Sequence, residues 1–301
     1  MTARSKDDMT PLISVVLVTY NRAHVLPITI ESILAQTQHD FELIICDDCS
    51  SDGTQKICEE YAVQDRRIRY FRQPRNLNMP ANLNFGITKA RSDYVANLHD
   101  GDMYREDLLE KWYGALRKYP KAAFVFNEYL TIDASGNIVC HYREPLSELL
   151  NGRYFLEKIM FSRWQFDSPV WGTVMGRKSM YESVGLFDER FGMLADVDMW
   201  MKLAYKYDVC YVKEPLIQLP SRDTLPSGNP FSYFKTMQTI DQIFLENRKR
   251  LYANDLRLLS LELCRHYVFR VLKGIYSMFI FAKRGNLNGA LDSLLTCIGR
   301  F

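Results

Sequence analysis

The run Ile13-Ser14-Val15-Val16-Leu17-Val18-Thr19 constrains this chain more than any other stretch. It is β-branched, of strand length and without polar alternation, which marks a strand buried on both faces; such strands belong to parallel sheets covered by helices. The stretches after it repeat the arrangement. Val25 to Ala35 is apolar at helical spacing (Val25, Ile28, Ile33, Leu34), with Pro27 in a first turn where proline is tolerated. Phe41 to Cys46 is a second strand, Asp47 to Gly53 a capped turn, and Thr54 to Val63 a helix. Ile68 to Phe71 and Tyr94 to Leu98 are further strands, separated by an Asn- and Pro-rich loop and a helix to about Lys89. The alternation predicts an α/β fold with a mostly parallel central sheet flanked by helices, whose ligands bind outside the carboxyl ends of the strands.

The polar clusters fall at those ends. In Asn97-Leu98-His99-Asp100-Gly101-Asp102 an apolar strand runs out into two carboxylates one residue apart. Two hard oxygen ligands there suit Mn²⁺ or Mg²⁺, and Gly101 leaves room for a bulky anion against the backbone. This is the pattern of a metal-diphosphate site held by Asp100 and Asp102, although a polar turn after a strand has the same residues. His99 reads as a hydrogen-bonded neighbour of the pair rather than a ligand. Cys46 and Cys49 are spaced C-x-x-C, but two carboxylates separate them and no second such pair exists, so neither a zinc site nor a redox pair is expected. Seven scattered cysteines, an odd number, suit reduced thiols.

Beyond Asp102, Asp107 to Tyr119 is helical, Ala122 to Phe126 is a strand that Tyr129 to Ile132 extends, and Val170 to Met175 is another short strand. Val197 to Tyr207 is an amphipathic helix with Trp200, Met201 and Ala204 on one side, and Asp208 to Val212 is a last strand. Pro220 to Pro230, with three prolines, is the expected boundary, and the remainder is helical with breaks near Gly274 and Gly285. A formal charge of +2 gives no basic excess for nucleic acid. The polar start lacks the apolar core of a secretory signal, which points to the cytoplasm, and Ile275 to Ala282 is too short to span a bilayer. Basic residues interleaved with aromatics between Ile243 and Arg284 suit peripheral contact with anionic lipid at the inner face of the cell membrane, or helices packed on a core with solvated basic faces.

Six motifs now stand in order: Ser14 to Arg22, Asp47-Asp48-Cys49-Ser50-Ser51-Asp52-Gly53-Thr54, Asn84-Phe85-Gly86-Ile87, Asp100-Gly101-Asp102, Gly185-Leu186-Phe187-Asp188 and Asp196-Val197-Asp198-Met199-Trp200. In order and spacing they resemble family 2 glycosyltransferases with the GT-A fold, over roughly Leu12 to Val212. The resemblance implies a polar segment at 1–11, a nucleotide-sugar-binding half at 12–104, an acceptor-binding half at 105–228 and a C-terminal helical region at 229–301. It implies that Tyr20 lies against the nucleotide base and that Asp48, with Asp47 beside it, accepts the N3–H of that base. A carboxylate acceptor suits uracil, thymine and guanine, not adenine or cytosine, so the donor is expected to carry UDP, dTDP or GDP.

Arg22 and Asp100 join the nucleotide site by the same resemblance, and Asp102, with Asp100, holds the metal across the diphosphate. Asp196 matches the catalytic base of inverting members, which takes the proton of the attacking sugar hydroxyl of a glycan or lipid-linked acceptor. Asp198 caps or orients that helix, and Trp164 and Trp171 flank the acceptor side. The chain departs from the family pattern at Cys49, usually Gly, at Leu83, often Arg, and at Ala195, often Glu; past the last strand only Arg222 stands for the usual basic residues. Two other readings stay open. A nucleotidyltransferase on a related sheet needs a Gly-rich basic phosphate loop, and Thr19 to His24 holds no Gly. A non-catalytic sugar- or partner-binding module could retain the fold.

Overall fold

The computed structural model describes residues 10–161, 170, 172–220 and 230–283. The chain divides into two compact units, Met1–Leu156 with Pro169–Leu225, and Glu157–Ser168 with Pro226–Phe301.

The first unit begins as alternating strands and helices: β1 (Ile13–Thr19), α1 (Leu26–Leu34), β2 (Phe41–Asp47), α2 (Thr54–Gln64), β3 (Ile68–Arg72), α3 (Met79–Lys89) and β4 (Tyr94–His99). It continues with β5 (Met103–Tyr104), α4 (Leu108–Lys118), β6 (Ala122–Ile132), β7 (Ile138–Tyr142), β8 (Leu149–Leu150), α5 (Gly152–Tyr154), β9 (Val174–Arg177), α6 (Lys178–Val184), α7 (Ala195–Lys206) and β10 (Asp208–Pro220). One sheet runs β3-β2-β1-β4-β9-β6-β10-β5, with β7 beside β6 and β8 beside β10. Six long strands share a direction and β9 runs against them, wedged between β4 and β6.

β1 is buried on both faces, as its composition requires. Ile13, Val15 and Leu17 share a core with Leu26, Ile30 and Ile33 of α1 and with Leu109, Trp112 and Leu116 of α4. On the opposite face Val16 lies under α3, where Gly86 leaves no room for a side chain: a Cβ there would fall 2.4 Å from Val16 Cγ1. Each fully buried aliphatic side chain contributes about 1.5–3 kcal/mol, so these layers fix where the strands end. At the opposite end of the sheet the buried Glu42 accepts from Ser14 Oγ (2.6 Å), Arg91 N–H (2.8 Å) and Arg69 Nη1 (2.5 Å). Burial raises its carboxyl, but these donors outweigh burial and hold it below the ordinary value.

Three expectations are corrected. The short strand placed at Val170 to Met175 begins at Val174, leaving Gly172 and Thr173 as loop. The last strand does not stop at Val212 but runs to Pro220, with register shifts on either side of Pro215, which has no N–H to give the ladder. In the second unit α8 (Pro230–Leu251) and α9 (Leu256–Lys283) are broken not near Gly274 but at Tyr252–Asp255. There Asp255 accepts the N–H of Leu258 (2.9 Å) and starts α9, whereas Gly274 only lowers helix stability, by about 1 kcal/mol. Gly285 lies outside the described residues.

Arg248 of the second unit is not part of a solvated basic face. It is buried, lies over Phe161 (4.4 Å) and donates to Phe161 O (3.1 Å) and His266 Nδ1 (3.0 Å). Among the described residues no helix is long and apolar enough to cross a membrane.

Candidate active site

The ends of β1 and β2 are knitted by side chains that sequence order keeps far apart. Asn21 turns the chain at φ +54°, gives its N–H to Ser50 Oγ (2.9 Å) and accepts from Ser51 N–H (2.8 Å). Arg22 N–H donates to Thr54 Oγ1 (3.2 Å), Ala23 N–H to Asp52 Oδ2 (3.1 Å), and Asp48 N–H to Thr19 O (2.9 Å). Tyr20 projects from this seam, half exposed.

Asp47 and Asp48 are held differently. Asp47 is wholly buried: Oδ1 accepts from Ser50 N–H and Oγ, and Oδ2 accepts from Tyr70 Oη (2.8 Å) with Arg72 Nε at 3.7 Å. Its carboxylate is turned inward and shapes the turn. Asp48 Oδ1 accepts the N–H of Leu77 (2.6 Å), which pins the loop before α3. Burial raises the Asp48 carboxyl against the bonds from the Leu77 and Asn78 backbone.

The Asp100-Gly101-Asp102 turn is clamped by Thr29 of α1, whose hydroxyl accepts from Gly101 N–H (2.9 Å) and donates to Asp102 O (3.0 Å). Gly101 sits at φ +90°, where a side chain would be strained. Asp100 Oδ1 lies 3.8 Å from Arg22 Nε. Burial raises the Asp100 carboxyl, opposed by the Thr19 hydroxyl, Arg22, the Tyr20 N–H and His24. Asp102 is buried and its Oδ2 lies 3.4 Å from Thr173 Oγ1.

Asp196 stands in the first turn of α7, and its Oδ1 accepts the N–H of Val197 (2.8 Å). Burial pushes its carboxyl up to about 6, the Val197 N–H offsetting only part. Its Oδ2 and the ring of His99 approach each other over the bare Cα of Gly172. A Cβ on Gly172 would fall 3.0 Å from Asp196 Oδ2, 3.0 Å from His99 Nε2 and 2.5 Å from His99 Cε1. Thus Asp196 is met at Gly172 and Asp102 at Thr173, consecutive residues of one loop. Asp198 does not join them: it is buried with Lys202 Nζ at 3.2 Å, and Lys202 donates to Leu186 O (3.0 Å). That bond ties α7 to the Gly185-to-Asp188 motif, which Asn84 grips from α3 through Phe187 O and Phe187 N–H (2.9 Å each). Trp164, Trp171 and Arg222 lie outside the described residues.

Comparison with known proteins bears on what such a site serves. The sequence profile described as "Glycosyl transferase family 2" matches residues 14–185. This chain belongs to that family. It is 30% identical over 199 residues to the putative glycosyltransferase EpsE of Bacillus subtilis, covering 64% of this chain and 66% of that one. The fold is similar to that of S. aureus TarS solved with UDP (TM-score 0.62, 14% identity, 96% of this chain and 92% of that one) and with UDP-GlcNAc (TM-score 0.62, 14% identity, 94% and 90%). It is also similar to the mannosyltransferase PcManGT of Pyrobaculum calidifontis solved with GDP-Man and Mn²⁺ (TM-score 0.55, 15% identity, 98% and 77%). The architecture is therefore GT-A, and the protein is a glycosyltransferase.

In this glycosyltransferase the Cys49 departure acquires a physical meaning. Cys49 has φ +66°, the left-handed region where the family's glycine sits without strain. Cys46 is buried, its thiol pushed up to about 12 by burial, and both thiols are free. Among the described residues no group of three or more His, Cys, Asp or Glu is placed to hold a metal by itself. Two carboxylates at a strand end fit a cation whose remaining ligands are diphosphate oxygens and water, the usual way Mg²⁺ is bound at phosphates. Sequence reasoning missed Thr29, Thr173, Tyr104 and Gly172 at this site. Only Gly172, a glycine inside the apolar run Val170 to Met175, gave any local signal.

Proposed function

We propose that this glycosyltransferase is an inverting, metal-dependent enzyme. It moves a sugar from a nucleoside diphosphate sugar, with UDP the first choice and dTDP or GDP next, to a hydroxyl of a glycan or lipid-linked glycan. The observation that carries the reading is the meeting of Asp102 and Asp196 at the consecutive residues Thr173 and Gly172. The nucleotides named with TarS and PcManGT, and the Mn²⁺ named with the latter, support it.

In this reading Tyr20 packs on the base, Asp48 offers a carboxylate oxygen to the base N–H, and Asp47 holds the turn that presents Asp48. Arg22 and Asp100 flank the ribose and phosphates. Asp102 with Asp100 would hold Mn²⁺ or Mg²⁺, which neutralises charge growing on the departing diphosphate. Asp196 takes the proton of the acceptor hydroxyl as its oxygen attacks the anomeric carbon and the bond to the diphosphate breaks. One carboxylate and one displacement leave the product inverted. Asp198 orients α7. In the helical unit the exposed Leu261, Val268 and Leu272 share one face of α9 with the exposed Arg265 alongside, which supports peripheral contact with an anionic membrane surface.

Calorimetric titration of UDP, dTDP and GDP with and without Mn²⁺ tests the reading. UDP should bind at least tenfold more tightly with the metal, and Asp102→Asn should abolish that gain. The Asp196→Asn variant should bind donor and lose transfer. If no nucleoside diphosphate responds to metal, the reading fails.

A further inference from the structure

His99 has a place in this site that its sequence position does not announce. It ends β4, immediately before Asp100 and three residues before Asp102, so its backbone belongs to the diphosphate end. Its ring lies against Gly172, where the Asp196 carboxylate also arrives. The backbone is locked by Tyr104, whose phenol accepts His99 N–H (2.9 Å) and donates to His99 O (2.9 Å). No hydrogen bond joins the ring to Asp196 or to any other described residue, although a half-buried imidazole carries one N–H and one lone pair to be met.

On the proposed reaction, on which this inference rests, the transferred sugar lies between the leaving diphosphate and the base that activates the attacking hydroxyl. A side chain that spans from Asp100 to Asp196 therefore runs alongside that sugar ring. We infer that His99 is a sugar-binding residue, its imidazole, seated where Gly172 lacks a side chain, hydrogen-bonding a hydroxyl of the transferred sugar. Gly172 is the partner of this role. Any larger residue would put a methyl group against both the ring and the Asp196 carboxylate. The chemical class recognised is a pyranose hydroxyl, which the nucleoside diphosphate alone does not have.

That difference supplies the test. Calorimetric titration with Mn²⁺ compares UDP with UDP-glucose, UDP-galactose and UDP-N-acetylglucosamine on wild type, His99→Ala, His99→Gln and Gly172→Ala, each checked by thermal melting. In His99→Ala the affinity for UDP should stay within about twofold while the best-bound UDP-sugar weakens about five- to tenfold, the effect of losing one neutral hydrogen bond. His99→Gln, whose amide reaches the position of Nε2, should recover most of the loss. Gly172→Ala should reproduce the selective loss. The inference is overturned if UDP and UDP-sugar weaken together, or if neither weakens. A wild-type protein that binds no nucleoside diphosphate with Mn²⁺ would instead overturn the nucleotide reading, and this inference with it.

Discussion

If Asp196 is the proposed base, acidification from pH 7 to pH 5 should slow this enzyme about tenfold. Burial lifts the Asp196 carboxyl from 3.8 to about 6, because the Val197 and Asp196 backbone N–H groups return only part of what removal from water costs. The ionised form is thereby disfavoured by about 3 kcal/mol. A base must be ionised to accept a proton, and with a pKa of about 6 the ionised fraction falls from about nine tenths at pH 7 to about one tenth at pH 5. The assay is kcat/KM for Mn²⁺-dependent release of UDP from a UDP-sugar between pH 4.5 and 8, since that ratio reports the free enzyme. UDP affinity over the same range separates this limb from Asp48 and Asp100, which burial also raises and which the proposal places in binding.

Stability should move in the opposite sense. A folded state that holds this proton more tightly than the unfolded chain loses stability as pH rises through 3.8 to 6. Asp196→Asn should therefore melt higher than wild type at pH 7. A kcat/KM flat from pH 5 to pH 7, or an acidic limb that persists in the residual activity of Asp196→Asn, would refute the assignment.

Three further outcomes concern features away from the reacting centre. Cys49→Gly should stabilise the protein by about 0.5–1 kcal/mol, because relief of left-handed strain outweighs the entropy of the added glycine; a lower melting temperature would contradict this. Glu42→Gln should cost about 2 kcal/mol, a figure discounted for the partial exposure of Arg69 and Arg91. Since the folded Glu42 carboxyl is depressed, its contribution is present above about 4.5 and vanishes as pH falls through the folded value, so wild type and variant should converge in melting temperature in acid. At low salt the protein should cosediment with phosphatidylserine vesicles and Leu261→Glu with Val268→Glu should release it, whereas wild type left in the supernatant would remove the membrane proposal.

The alternating half of the fold was legible because its signals are local. The Ile13-to-Thr19 and Phe41-to-Cys46 runs carry their burial in composition, and the turns after them carry their polar residues in place. What escaped the sequence depends on pairing at a distance. Nothing in Asp47-Asp48 says which carboxylate turns inward; that is decided by Tyr70 and Ser50. The approach of His99 to Asp196 requires β9 to slide between β4 and β6, and Gly172 takes its meaning only from that insertion. β10 continues past Val212 because the register shifts around Pro215 instead of ending there. Gly274 misled for a similar reason, since a glycine weakens a helix without obliging it to stop.

The reversed direction of β9 has an evolutionary corollary. Because β9 points against its neighbours, it is the residues leading into it, not those leaving it, that arrive where β4 ends. On the proposed reaction the site is thus assembled from an exit and an entrance separated by a long excursion of chain, with the base added from α7 beyond them. On that reading the excursion can be lengthened, trimmed or rebuilt while the strand ends that it joins stay where they are.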